Sequence, residues 1–300
     1  MRHIFQNHIG AQRGSHRSDN IFYRSPVFYL RVEKIKKGVF QIMFSFSDIR
    51  AGYNNSEILK GISFNVQRGD FTGIIGPNGS GKTTLLRAAT KMIKPFKGDV
   101  FLEGKNLADM SLKELAVIMA VVPQDTAFVF PFRVIDVVLM GRIPYISRFG
   151  FESRKDLKIA LEALEFVDAL HLKGRFIDEL SGGERQRVII AKAIAQEPKI
   201  LFLDEPTTHL DINHQVQIFE LLRKMNKESG LTIVAILHDL NLASDYCDKL
   251  ILLSEGVIKS KGVPDEVLNY KTIEEAYKTV VIVKKNPLTS RPHIFLVKKD

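Results

Sequence analysis

A glycine-rich loop at residues 76–84 narrows the range of folds open to this chain. The loop follows a short apolar run, residues 71–75, that has the composition of a buried strand. Such a loop surrounds the β- and γ-phosphates of a nucleotide with backbone N–H groups, while a lysine neutralises their charge and a hydroxyl ligates Mg²⁺. A Cβ at Gly79 or Gly81 would hinder the positive φ and the close backbone approach that this requires. The predicted nucleotide-binding residues of the loop are Gly76, Pro77, Asn78, Gly79, Ser80, Gly81, Lys82, Thr83 and Thr84.

Two further apolar segments lead directly into polar side chains. Residues 199–204 end in Asp204 with Glu205 next, and residues 231–237 are followed by His238. Segments that are apolar on both faces are typical of central strands in a parallel sheet. Ligands of open α/β sheets bind outside the carboxyl ends of the strands. We therefore expect Asp204, Glu205 and His238 to lie beside the phosphate loop.

The rest of the chain alternates between strand and helix patterns. Strands are predicted at 44–50, 62–66, 71–75, 99–103 and 120–123, with a hairpin at 249–253 and 257–260 and a terminal strand pair within 280–297. Helices are predicted from residue 82 to about 91, near 111–118 and at 185–196. Between residues 128 and 174 the period becomes helical, and we expect Leu157, Leu161, Leu164 and Val167 to share one core-facing side.

Composition and charge limit the classes of protein to consider. The chain has 300 residues and a net charge of +9, but residues 1–42 hold eight Lys or Arg against only Asp19 and Glu33. The rest of the chain has thirty-five basic and thirty-two acidic residues, a nearly balanced charge that is typical of a soluble protein surface. This balance argues against a general nucleic-acid-binding stripe. No apolar run reaches the eighteen or so residues of a membrane span. The single cysteine, Cys247, excludes an internal disulfide and fits a reducing cytoplasm.

Two more motifs complete a recognisable set. Residues 180–186 read Leu-Ser-Gly-Gly-Glu-Arg-Gln, and residues 200–206 read Ile-Leu-Phe-Leu-Asp-Glu-Pro. In this order and spacing, the chain resembles the ATP-binding cassette ATPases from about Phe44 to about Leu268. The Ser-Gly-Gly heptad separates this class from kinases, GTPases and other P-loop proteins.

The resemblance implies a fold and a domain arrangement. We expect an α/β P-loop NTPase (RecA-like) core with a mixed sheet, an antiparallel β subdomain and an inserted α-helical subdomain. The nucleotide-binding domain would span 43–279, with the helical subdomain at about 128–180, and a strand pair would occupy 280–300. Residues 1–42 would be a basic, disordered extension or a misassigned start.

The resemblance also assigns roles to single residues. Lys82 would hold the phosphates during catalysis, and Asp204, together with Thr83, would hold Mg²⁺. Glu205 would polarise the attacking water or accept its proton. Gln124 would contact both the metal and the water, His238 would contact the γ-phosphate, and Tyr53 would stack on adenine. The implied ligands are ATP and Mg²⁺.

Ser181, Gly182 and Gly183 have both a structural and a functional interpretation. Ser181 and Glu184 form the pattern of a capping box at a helix start. A helix start also presents unpaired N–H groups and a positive dipole to an anion. In relatives this end faces the γ-phosphate held by an opposite subunit, so the resemblance implies a head-to-tail homodimer. Residues 208–211 match the loop that communicates between the two sites in relatives, and Asp211 is its most typical residue.

The implied setting is transport across a membrane. Residues 130–144, with the motifs above, resemble the ATPases of importers for iron chelates, haem or cobalamin. The partners would be separate transmembrane permease subunits and, indirectly, an extracytoplasmic substrate-binding protein, with no nucleic acid. The chain would lie peripherally at the cytoplasmic face of the membrane.

Other functions within the same superfamily stay open. The chain could be a non-transport ATPase, such as a metallocluster assembly scaffold, or an exporter subunit, since the membrane partner sets direction. A chromosome or translation ATPase would carry a long coiled coil or two cassettes in tandem. Neither pattern occurs in this sequence.

Overall fold

The computed structural model describes residues 41–54, 56–126, 128–147 and 150–298. Nearly all of the basic segment predicted at residues 1–42 lies outside the described residues. The strands are β1 (Ile42–Tyr53), β2 (Ser56–Gln67), β3 (Phe71–Ile75), β4 (Lys97–Leu102), β5 (Lys105–Asn106), β6 (Met119–Val122), β7 (Ile200–Asp204), β8 (Thr232–Ile236), β9 (Lys249–Ser254), β10 (Val257–Gly262), β11 (Val281–Lys285) and β12 (Pro292–Leu296).

The α-helices are α1 (Lys82–Ala89), α2 (Leu112–Ile118), α3 (Val134–Leu139), α4 (Arg154–Phe166), α5 (Gly182–Ala195), α6 (Ile212–Ser229), α7 (Leu240–Tyr246), α8 (Pro264–Val267) and α9 (Tyr270–Tyr277). Short 3₁₀ turns lie at Leu107–Asp109, Met140–Tyr145, Leu170–Leu172 and Ile177–Glu179. Within the described residues, no helix combines the length and the apolar character needed to cross a membrane.

A six-stranded sheet, in the order β10-β9-β3-β8-β7-β6, forms the centre of the fold. Its strands are parallel except for β10, which pairs antiparallel with β9. Every residue of β3, β7 and β8 is buried, because helices or strands cover both faces. This confirms the central strands that the apolar segments predict. The carboxyl ends of β3, β8, β7 and β6 consequently meet along one edge.

A second, antiparallel sheet covers one face of the central sheet, in the order β2-β1-β4-β5. Aromatic residues fill the space between the two sheets. Phe44 of β1 packs edge-on against Phe202 of β7 with ring centroids 5.3 Å apart, and Phe46 stacks on Phe64 at 4.5 Å. Helix α1 contributes Leu85 and Leu86 to the same core. The helix that leaves the phosphate loop is thus held between the two sheets.

The helical region contains one clear departure from expectation. The prediction that Leu157, Leu161, Leu164 and Val167 form one core-facing stripe is wrong: Leu164 and Val167 are buried, but Leu161 is half-buried and Leu157 is exposed. The buried side of α4 is instead built on small residues, Ala160 and Ala163, with Leu164. Because the distance between packed helices depends on the side chains at the contact, these small residues favour close packing of α4 against α3 and α5, while Leu157 lies on the exposed side.

Some predicted helix ends also differ. Helix α1 ends at Ala89 rather than near residue 91, since Lys91 adopts a left-handed φ of 59°. Helix α5 begins at Gly182, as the predicted Ser181 cap requires, three residues before the helical run predicted from Arg185. At the far end of the chain, β11 and β12 pair antiparallel as a two-stranded sheet.

Candidate active site

The phosphate loop lies between β3 and α1, and its conformation depends on glycine. Gly79 has a φ of 76° and Gly81, the residue before α1, a φ of 103°. Lys82 is buried, and its Nζ donates to the carbonyl oxygens of Gly76 (2.9 Å) and Pro77 (3.1 Å). The ammonium group is therefore held within the curve of the loop, where phosphate oxygens would be recognised.

Electrostatics around Lys82 reflect this burial. Loss of solvent lowers the pKa of Lys82, while the negative charges of Glu205 and Asp204 act in the opposite direction. The lysine and the two carboxylates at the end of β7, Asp204 and Glu205, thus share one electrostatic environment at the edge of the central sheet.

Glu205 is the centre of the hydrogen-bonding network at this edge. Its Oε2 accepts from Gln124 Nε2 at 2.8 Å and from the Thr208 hydroxyl at 3.1 Å, and its Oε1 pairs with His238 Nε2. Glu205 also has a left-handed φ of 49°, which turns the chain immediately after β7. The structure therefore brings Gln124, Glu205 and His238 together from the ends of three strands. We call Lys82, Gln124, Asp204, Glu205 and His238 the sheet-edge group.

Asp204 occupies a different environment one residue earlier. Its Oδ1 is buried and has no hydrogen-bond partner among the described residues. Burial raises the pKa of Asp204, and the neighbouring charge of Glu205 adds to the effect. An unpaired carboxylate oxygen in such a place is costly unless a cation satisfies it. The residues present therefore fit a magnesium ion, which takes one or two protein carboxylates and completes its shell with phosphate and water. Thr83 stands next to Lys82 at the start of α1 and is half-buried.

Tyr53 ends β1 and is held by a residue that the sequence patterns do not single out. Arg87 on α1 donates from Nη1 to the Tyr53 hydroxyl at 2.9 Å, and its guanidinium carbon lies 5.8 Å from the tyrosine ring centroid. The positive charge of Arg87 also partly opposes the rise in the pKa of Asp204 that burial and Glu205 cause. The only signal in the sequence is a basic residue five positions after Lys82 on the same helix.

Thr208 is the second residue whose contact was not predicted. Sequence resemblance places it in the loop ending at Asp211, yet its hydroxyl bonds to Glu205. Its backbone N–H also donates to the Glu205 carbonyl at 3.2 Å, which closes a turn. The three-residue separation is compatible with such a turn, but it does not identify the side-chain bond.

The N-terminus of α5 has the predicted capping box. Ser181 Oγ accepts from the Glu184 N–H at 3.3 Å, and the Glu184 carboxylate accepts from the Ser181 N–H at 2.8 Å. Ser181 and Gly182 are exposed, while Gly183 is buried against His214. A Cβ on Gly183 would stand 2.2 Å from the His214 ring, so only glycine permits this packing. The N-terminus of α5 thus presents the positive end of the helix dipole and unpaired N–H groups to solvent.

His214 connects Asp211 to this helix end, because it packs against Gly183 and bonds to Asp211. Asp211 caps α6 by accepting from the His214 N–H at 2.8 Å and contacts His214 Nδ1 at 2.9 Å. The backbone bond from His214 lowers the pKa of Asp211. Among the described residues, no hydrogen bond or ion pair joins Ser181 or Asp211 to the sheet-edge group.

Comparison with known proteins identifies the family. The family described as ABC transporter matches residues 59–208, which include both the phosphate loop and the segment after β7. This chain belongs to the ABC transporter family. It is an ATPase of the ABC class, homologous to ATPases of importers.

Three relatives illustrate the range of similarity. The uncharacterized ABC transporter ATP-binding protein YvrA of Bacillus subtilis is 42% identical over 83% of this chain, which spans only 56% of YvrA. The ferric enterobactin transport ATP-binding protein FepC of Escherichia coli is 37% identical over 80% of this chain and 89% of FepC. The hemin import ATP-binding protein HmuV of Gloeobacter violaceus is 40% identical over 78% of this chain and 87% of HmuV.

Solved structures of ABC cassettes share the fold. A metal-chelate type ABC transporter in an inward-facing conformation superposes with a TM-score of 0.77 at 26% identity, covering 86% of this chain and 98% of the other. A dimeric structure of the cassette MJ0796, bound to ADP and Pi after hydrolysis, has a TM-score of 0.65 at 29% identity, covering 74% and 98%. The expected cassette fold, with its mixed sheet and antiparallel sheet, is confirmed.

Proposed function

We propose that this ABC ATPase is the ATP-hydrolysing subunit of an importer and that two copies close around two Mg-ATP. The observation that carries the proposal is the convergence of Gln124, Thr208 and His238 on the Glu205 carboxylate, beside Asp204. Phosphoryl transfer to water needs a cation clamp, a metal and an oriented water, and each has a candidate here.

Within one copy, the residues divide the chemistry. The loop N–H groups and Lys82 bind the β- and γ-phosphates, and Tyr53 stacks on adenine. Glu205 orients the attacking water and accepts its proton. His238, which pairs with Glu205, donates a hydrogen bond toward the γ-phosphate.

Mg²⁺ belongs at the buried edge beside these groups. Asp204 and Thr83 would hold it, with Gln124 at its periphery, and the unpaired Asp204 oxygen supports this assignment. The ion, when bound, neutralises phosphate charge and aligns the triphosphate.

The second copy completes the pocket. The N-terminus of α5, formed by Ser181–Gly183 and exposed at Ser181 and Gly182, meets the γ-phosphate bound by the loop of the partner copy. This arrangement uses the dipole and free N–H groups that the capping box leaves exposed. A dimeric structure exists for the related cassette MJ0796, which supports the arrangement.

Dimer closure drives a separate permease. The cargo class is an iron chelate, haem or cobalamin, and the names of FepC and HmuV and the metal-chelate type transporter support the first two. The subunit would lie at the cytoplasmic face of the membrane, and a substrate-binding protein on the far side would deliver cargo.

The test uses a variant that binds ATP without hydrolysing it. Glu205→Gln should elute as a dimer in size-exclusion chromatography with Mg-ATP and as a monomer without nucleotide. The double variant Lys82→Ala/Glu205→Gln, which lacks the phosphate clamp, should stay monomeric and serves as the control. Glu205→Gln that is saturated with ATP yet remains monomeric would overturn the proposed dimer.

Partner identity needs a second experiment. The tagged chain, purified from detergent-solubilised membranes, should retain a polytopic permease. Recovery of soluble assembly proteins instead would favour the scaffold alternative. Cargo movement in reconstituted vesicles would separate import from export.

A further inference from the structure

The C-terminal hairpin, residues 281–296, takes no part in the chemistry assigned above, yet it is fastened to helix α7. The Asn241 side chain of α7 forms a paired contact with the backbone of Ile294 in β12. Asn241 Oδ1 accepts from the Ile294 N–H at 2.8 Å, and Asn241 Nδ2 donates to the Ile294 carbonyl at 3.2 Å. The side chain thereby bonds to β12 as a neighbouring backbone strand would.

The other end of α7 is held by the same hairpin. The Arg291 guanidinium donates to the carbonyl oxygens of Ser244 and Cys247, both at 2.6 Å. Ser244 Oγ donates to the Pro292 carbonyl at 2.7 Å. Terminal carbonyls of a helix lack partners within the helix, and a cation at that end also complements the dipole.

Helix α7 needs this external support because it is short. It has seven residues, and an isolated helix of that length is not stable in water. Asp239 caps its start by accepting from the N–H groups of Asn241 and Leu242, at 2.7 and 2.9 Å. The orientation of α7 therefore determines where the backbone at Asp239 lies.

His238 immediately precedes this cap. Its imidazole projects from the junction between β8 and α7 and pairs with Glu205. Strand β8 fixes the chain on one side of His238, and α7 fixes it on the other. A continuous set of contacts thus runs from Ile294 through Asn241 and the Asp239 cap to His238.

We propose that the C-terminal hairpin positions His238 for ATP hydrolysis, with Asn241 as the positioning residue. The inference rests on the proposed role of His238 and adds a determinant outside the nucleotide pocket. Loss of the Asn241 bonds lets the start of α7 shift, so that His238 visits its working orientation less often. Nucleotide binding by the phosphate loop is unaffected, since the hairpin bonds do not involve Lys82.

The principal variant is Asn241→Leu, which has a similar size and makes neither hydrogen bond. We expect kcat to fall about tenfold, since two hydrogen bonds are lost, while KM for ATP stays unchanged. Asn241→Asp keeps the acceptor for the Ile294 N–H and should recover part of the activity. The control is Asn106→Leu, which removes two hydrogen bonds, to Asp99 and the Ala108 N–H, in the antiparallel sheet. It should leave kcat unchanged.

A double-mutant cycle with His238→Ala separates positioning from general destabilisation. If the hairpin acts through His238, Asn241→Leu causes no further loss of kcat on the His238→Ala background. The same loss on both backgrounds would overturn the inference while leaving the proposed role of His238 intact. Full activity of His238→Ala itself would overturn that role and, with it, this inference.

Arg291→Met keeps the inference testable if Asn241→Leu does not fold, as judged by circular dichroism and thermal melting. It removes the cation from the end of α7 but leaves Asn241 in place. We expect a smaller loss of kcat, about threefold for the lost carbonyl contacts, and again none on the His238→Ala background. An unchanged kcat in a folded Arg291→Met protein would contradict the proposal.

Discussion

The sheet-edge group and the N-terminus of α5 both present groups suited to a phosphate, but they differ in how many hydrogen-bond partners their side chains already have and in where those partners lie in the sequence. At the sheet edge, Glu205 has three side-chain partners, and two of them, Gln124 and His238, lie 81 and 33 positions away in the sequence. At α5, the side chain of Ser181 bonds only to Glu184 among the described residues, three positions away, and Ser181 is exposed. Tertiary structure assembles the sheet edge, whereas the start of α5 is complete as a local motif. The capping box uses the N–H groups of Ser181 and Glu184 and leaves those of Gly182 and Gly183 without a side-chain partner among the described residues.

This difference matches a division of labour between two copies. The preassembled edge can bind the triphosphate and prepare water within one molecule. The exposed helix end gains a function only when a phosphate is brought to it. The following predictions test the contrast, beginning with the largest effect.

Removing the Lys82 ammonium group should weaken nucleotide binding at the sheet edge more than any other change considered below. Lys82→Ala should weaken ATP binding on the order of a hundredfold, since charged hydrogen bonds contribute about 1.5–3 kcal/mol each. Titration with a fluorescent ATP analogue measures the effect. Lys94→Ala, an exposed residue after α1, is the control and should bind normally. Unchanged affinity in Lys82→Ala would show that Lys82 does not clamp the phosphates.

The exposed N-terminus of α5 should contribute to hydrolysis only when it faces the nucleotide bound by a second copy. Ser181→Arg fills the space before α5 with a bulky side chain, so it should abolish hydrolysis but keep ATP binding. Mixed with Lys82→Ala, which is defective in the other half, it should regain activity, because one composite pocket of each mixed dimer is intact. The expected recovery is roughly a quarter of wild-type ATPase activity for a symmetric dimer. A mixture as inactive as its components would contradict shared pockets.

Thr208 should contribute to the sheet edge without binding nucleotide. Thr208→Val keeps the shape of the side chain and loses the bond to Glu205, so kcat should fall about three- to tenfold with KM unchanged. Thr208→Ser should restore most of the activity. Thr207→Val is the matched control, since its hydroxyl has no hydrogen-bond partner within the described part of the chain. Steady-state ATPase assays decide between these outcomes.

Arg87 should affect recognition of the base. Arg87→Met removes the bond that steadies the Tyr53 hydroxyl, and we expect KM for ATP to rise about threefold with little change in kcat. Tyr53→Phe should reproduce the effect, and the double variant should add nothing to it. Additive losses in the double variant would place Arg87 in a different role.

Removing the Asp211 side chain, which caps α6, should have the smallest effect of these changes, and the effect should be on thermal stability. The folded pKa of Asp211 is lowered, so the contribution of this carboxylate to stability is present above about pH 4 and is lost as the pH falls through the folded value. Asp211→Ala should lower Tm slightly at pH 7 and progressively less toward pH 3. Asp211→Asn keeps an acceptor for the His214 N–H and should not show this pH dependence. Thermal melts across that range provide the measurement.

The placement of the sheet-edge residues was accessible from local patterns. Apolar runs of strand length, each followed by a polar residue, predict that Asp204, Glu205 and His238 follow central strands, and the structure has them there. The capping box at Ser181 was equally predictable, because its two partners lie three residues apart. The earlier end of α1 and the exposed Leu157 show the limit of such patterns, since helix length and rotation depend on which neighbours pack closely.

Long-range side-chain contacts were not predictable in this way. The Arg87–Tyr53 bond joins residues 34 positions apart, and the Asn241–Ile294 pair spans 53 positions. No sequence motif with a fixed spacing links the two residues of either pair. Such contacts depend on the order of strands in the sheet and on how the C-terminal hairpin folds back.

The sequence by itself determined the loop that can bind phosphate, the strand ends that carry polar groups and the helix start at Ser181, because each is encoded within a few neighbouring residues. Only the tertiary structure decided that Gln124, Thr208 and His238 share one carboxylate, that an Asp204 oxygen is left buried and unpaired, and that the hairpin supports the helix after His238. The reason is physical: backbone preferences act over one or two turns, whereas burial and hydrogen bonding across the sheet depend on chain segments that meet only when the whole domain packs.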